Sequence, residues 1–121
     1  MKNKKNELSI KSKLLFNNLD MHYRNAIDLN IDIEKRKRSV DNIFSVYRMT
    51  LKPFIVDEPE EYISKVNRAI DNKQEEIHRM ICERTTVETL VLYISPILEH
   101  LKDMIKTCKM NLDTLNALWK I

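Results

Sequence analysis

The sequence predicts an all-α chain of long amphipathic helices, packed as an elongated antiparallel bundle or coiled-coil hairpin. Three observations carry this. There is no glycine in 121 residues, and there are only three prolines. Hairpins, tight turns and phosphate-cradling loops need the positive-φ positions that glycine supplies, so β-rich and nucleotide-binding folds are disfavoured together. Apolar residues also recur at alternating spacings of four and three over most of the length, the repeat that holds one helix face against a partner. Finally, 43% hydrophobic and 32% charged residues make a foldable balance. The length suits a single domain spanning 1–121, with residues 1–5 as a flexible basic tail.

The first helical pattern begins near Glu7. Its seam runs Leu15, Leu19, His22, Ala26, Leu29, Ile33, Arg36, Val40, Ile43, Tyr47, with eight of ten positions apolar. "IDLNIDI" at 27–33 alternates with strand period, but its Asp and Asn residues are poor strand formers. It reads as helix, with a break near residues 30–39 as the alternative. That break would make four helices where there are otherwise three.

"LKPFIVDEPEEY" is the first firm punctuation. Pro53 disfavours helix at Lys52. Asp57 reads as the next N-cap, with Glu58, Glu60 and Glu61 at the positive end of the helix dipole. The second helix carries Ile63, Val66, Ile70, Lys73, Ile77, Met80 and Arg84 on its seam. Thr85 and Glu88 then fit a capping box and a break, although the seam passes through without a phase shift. The third helix has the cleanest stripe: Val87, Val91, Ile94, Leu98, Leu101, Ile105, Cys108, Leu112, Leu115, Trp119, all apolar. Pro96 should kink it or mark a late start.

Few motifs carry chemistry. Glu75 and His78 have the spacing of a di-iron half-site, but no second copy exists. His78 and Cys82 share a helix face, yet a structural zinc needs four patterned ligands. No nucleophile–base pairing is evident. No catalytic residue, metal or cofactor is therefore assigned, and the chain is not read as an enzyme. Cys82 and Cys108 read as buried free thiols in a reducing compartment. No apolar run reaches membrane-spanning length, and the expected location is cytoplasmic.

The formal charge of +3 is uneven. Residues 1–56 hold 12 Lys/Arg against 6 Asp/Glu, and the remainder holds 9 against 12. The basic patch Lys35, Arg36, Lys37, Arg38 stands out. Four consecutive cations cover most of a helical circumference, and Arg36 falls on the apolar seam, so a solvated or ion-paired helix surface is the leading reading. Nucleic-acid binding or a nuclear import signal is one alternative, and a docking site for an acidic protein is another.

The functional expectation is a protein–protein interaction module: an assembly subunit, adaptor or helical chaperone. Its partner is another protein or itself, most simply as a dimer. Leu112, Leu115 and Trp119 are the expected partner contacts, because so wide an apolar arc needs cover on more than one side. As a seam residue Trp119 is equally a core anchor. The runner-up is a nucleic-acid-associated protein using the basic first half.

Overall fold

The structure, a computed structural model, describes residues 9–121. The expected tail at 1–5 and the helix start at Glu7 lie outside these. The described residues are all-helical, in five helices: α1 Ile10–Ile27, α2 Ile33–Ile55, α3 Glu60–Cys82, α4 Val87–Thr107 and α5 Leu112–Trp119. Each consecutive pair from α1 to α4 packs together, α4 also packs on α1 and α2, and α5 packs on α3. Buried residues of all five helices form one contiguous core.

Each boundary has a local cause. Ser9 caps α1 by accepting from the Ser12 amide. The first long pattern does break, but ahead of the cationic run. Asp28 closes an Asx turn on the Asn30 amide at 2.9 Å, and Asp32 caps α2 by accepting from the Glu34 and Lys35 amides. The alternating aspartates of "IDLNIDI" are thus turn and cap residues, which compete with the helix for its own backbone groups.

Pro53 does not end α2, which continues to Ile55. Pro96 likewise sits inside α4. A proline frees the carbonyl four residues earlier. Those residues are Met49 and Leu92, 72% and 73% exposed. The freed carbonyls thus belong to the wet sides of both helices, where water can serve them. α3 starts at Glu60 with Pro59 in the cap position, and Asp57 lies outside it. The break before α4 is present as expected, but Thr86 is the cap, accepting from Thr89 N, in place of Thr85.

The third pattern is two helices. Cys108 takes a left-handed conformation, φ 55°, and ends α4; Asn111 caps α5 by accepting from the Asp113 and Thr114 amides. Arg84 and Lys120 are also left-handed. At Arg84 the Thr85 amide reaches the Met80 carbonyl and the Arg84 amide reaches Ile81. This is a Schellman ending built without the usual glycine.

Candidate functional site

The cations 35–38 do not share one surface. Lys35 and Arg38 are exposed, and Lys37 lies 3.5 Å from Glu34 within its own turn. Arg36 is fully buried. Its Nε donates to the Ala26 carbonyl at 3.0 Å, capping the negative end of α1. Its two terminal nitrogens have no hydrogen-bond partner among the described residues. Burial is the main cause lowering its pKa, and Arg84 adds repulsion that Asp28 partly opposes. Arg36 is therefore a core residue, shut off from solvent and without an ion pair among the described residues.

The expected partner contacts separate. Leu115 and Trp119 are buried within the chain, Trp119 at 6% exposure, and Leu112 is 38% exposed. Trp119 stands edge-on to Tyr47, ring centroids 5.6 Å apart. Its Nε1 donates to the Tyr47 hydroxyl at 2.9 Å, and that hydroxyl lies 2.7 Å from His100 Nδ1. A hydroxyl has one proton. The Tyr47 proton has no acceptor other than His100 Nδ1 among the described residues, so Tyr47 donates to it while accepting from Trp119, and the neutral imidazole carries its own proton on Nε2. Burial pushes the Tyr47 hydroxyl far above its usual range, with the Trp119 bond opposing. Burial also lowers His100, partly offset by Asp103. α5 is tied down further by the Tyr62 hydroxyl donating to Asn116 Oδ1.

Other polar groups hold helices together. Asp41 on α2 accepts from Gln74 at 2.6 Å and His78 at 2.7 Å on α3. His78 thus faces a helix neighbour, and Glu75 stays exposed. His22 meets Ser39 at 3.3 Å, and burial lowers its pKa. Tyr23 bonds Ser95 at 2.8 Å, and Lys102 pairs with Asp20. Among the described residues no group of three His, Cys, Asp or Glu is placed to hold a metal. Cys82 and Cys108 are both exposed, contrary to the buried thiols expected from their apolar surroundings. Each sits where its helix unwinds, at the last residue of α3 and the left-handed end of α4.

The surface feature that sequence reasoning missed is a groove of about 240 Å³ between the end of α2 and the start of α3. Leu51, Ile55 and Ile70, all buried, form its floor; Val56 and Ile63 flank it; Arg48, Lys52 and Asn67 supply its polar atoms. Arg48 is engaged by Asp71 and lies over the Phe44 ring. Lys52 has no ion pair among the described residues. The signal was present: Tyr47, Leu51 and Ile55 continue the first seam at spacings of four. Pro53 masked it by suggesting that the helix had ended. No helix among the described residues is long and apolar enough to cross a membrane.

Comparison with known protein families, curated proteins and solved structures finds no match to this chain.

Proposed function

We propose that the chain is a protein–protein interaction module whose α2–α3 groove receives an acidic amphipathic helix of a partner protein. The groove itself supports this reading: an apolar floor flanked by Val56, 58% exposed, beneath the cations Arg48 and Lys52. At about 240 Å³ it falls below the roughly 300–1,000 Å³ of small-molecule sites. A partner helix would set aliphatic anchors into the floor, spaced three or four apart, and turn a carboxylate toward Lys52, since Arg48 is already held by Asp71. The frame presenting the groove is, on this reading, an antiparallel bundle, since successive helices pack through short connections. The basic run at 35–38 weighs less, because Arg36 is buried and Lys37 is engaged.

The test is selection of binders from a displayed library of helical peptides, with resonance mapping of the winners. Winners should combine acids with leucine-like anchors and shift Leu51, Ile55 and Ile63. Val56→Asp should weaken them at least tenfold without loss of helicity, while Leu92→Asp leaves them unchanged. Winners mapping elsewhere, or binding that collapses with salt as phosphate-type contacts do, would overturn the reading.

A further inference from the structure

We propose that α5 is an exchangeable element, and that two copies of this chain form a closed dimer by trading their C-terminal helices. The proposal stands apart from the α2–α3 groove and survives or fails without it.

The sequence and the structure of one segment disagree in an informative way. Leu101, Ile105, Cys108, Leu112, Leu115 and Trp119 keep alternating spacings of four and three without a phase shift. In a continuous helix all six would share one face. In the folded chain that face is cut at residues 108–111, and α5 turns back so that Leu115 and Trp119 enter their own core. Nothing in the hinge "CKMN" forbids helix: it holds neither glycine nor proline. The bend depends instead on Cys108 in a left-handed conformation, which costs any residue with a β-carbon, and on the Asn111 cap.

If the hinge becomes helical, α4 and α5 merge into one helix from Val87 to Trp119, about 50 Å long. Its last twelve residues then extend roughly 18 Å past the present end of α4. The vacated site keeps Tyr47, His100 and Tyr62. The α5 of a second copy restores the same contacts there: Trp119 to Tyr47, Asn116 to Tyr62, Leu115 to the core. The exchange is mutual, so the assembly closes with two-fold symmetry. Because docked contacts are the same in both forms, hinge conformation and protein concentration decide between them. Left undocked, the merged helix would expose Leu115 and Trp119, which are buried in the folded chain, so α5 is found seated on one copy or the other.

The experiment compares the full chain with Cys108→Gly and Asn111→Leu after refolding at high concentration, by size-exclusion chromatography with light scattering. Cys108→Gly favours the left-handed bend and disfavours a helical hinge, so the dimer fraction should fall at least tenfold. Asn111→Leu removes the α5 cap and should raise it at least tenfold. A second measurement separates exchange from surface contact. Tyr62→Cys and Asn116→Cys, in a Cys82→Ser, Cys108→Ser background, are joined by a short bismaleimide in the isolated dimer fraction. Exchange links two chains and gives a double-length band on a denaturing gel. A single-length band from the dimer fraction, or no dimer of Asn111→Leu at any concentration, overturns the proposal.

Discussion

Arg36 and Tyr47 lie three turns apart on the same face of α2, both fully buried, and their polar atoms fare very differently. At Arg36 one nitrogen finds the Ala26 carbonyl and the other two find no partner among the described residues. At Tyr47 a single hydroxyl accepts from Trp119 and donates to His100. The difference teaches where partners come from. Arg36 faces the end of α1, whose carbonyls can occupy only part of a five-donor guanidinium. Tyr47 faces side chains delivered from two other helices, one of them the last in the chain. A buried polar group costs little when its partners are complete and considerably more when they are not.

Removing Trp119 attacks the complete site most directly. Trp119→Ala deletes both the aromatic packing and the donor, and should lower unfolding free energy by about 3–5 kcal/mol in urea titration. A loss below ~1 kcal/mol would mean that α5 contributes little to the fold. The incomplete site should respond with the opposite sign. Arg36→Leu gives up the Ala26 bond but also a desolvated charge, and should be neutral or stabilising, by up to ~3 kcal/mol. Clear destabilisation of Arg36→Leu would show that the guanidinium is better served than its geometry states.

Tyr47→Phe sharpens the contrast at minimal change of shape. It strands the Trp119 donor and the His100 acceptor, for a loss of about 1–3 kcal/mol. Acidification is the mildest probe. Burial sets the folded pKa of His100, and of His22, below the ordinary 6.5. Below pH 6.5 the unfolded chain therefore binds protons that the folded chain refuses, and the histidine contribution to stability, complete above that pH, is lost as pH falls toward the folded values. The chain should therefore melt at a lower temperature at pH 5.5 than at pH 7. His100→Gln should remove its share of that difference.

The helical class was legible because it rests on many weak, concordant signals: absent glycine and repeated seams. Val40, Ile43, Tyr47, Val66, Ile70, Ile94 and Leu101 all occupy the core that their spacing assigns. Single residues that decide boundaries were read less well. Pro53 looked like a stop but needs only one wet carbonyl behind it, and Cys108 looked like a seam residue but bends the chain. A left-handed residue other than glycine or asparagine leaves no mark in composition, since its strain is compensated by tertiary contacts such as those of Trp119. Leu115 and Trp119 stand out in the sequence as partner contacts, and both are buried within their own chain. Periodicity alone could not say whether their seat lay in the same chain. The groove was missed through the same misreading of Pro53.

The left-handed positions have a consequence for how the sequence can change. At Arg84 and Lys120 the backbone already holds a conformation that glycine adopts without penalty. Both side chains are exposed, with no hydrogen bond of their own among the described residues. A single mutation to glycine at either joint is thus open to drift or selection as a stabilising step, leaving the core and the groove untouched. These corners are adaptive headroom: a destabilising change elsewhere could be offset there by a single further substitution.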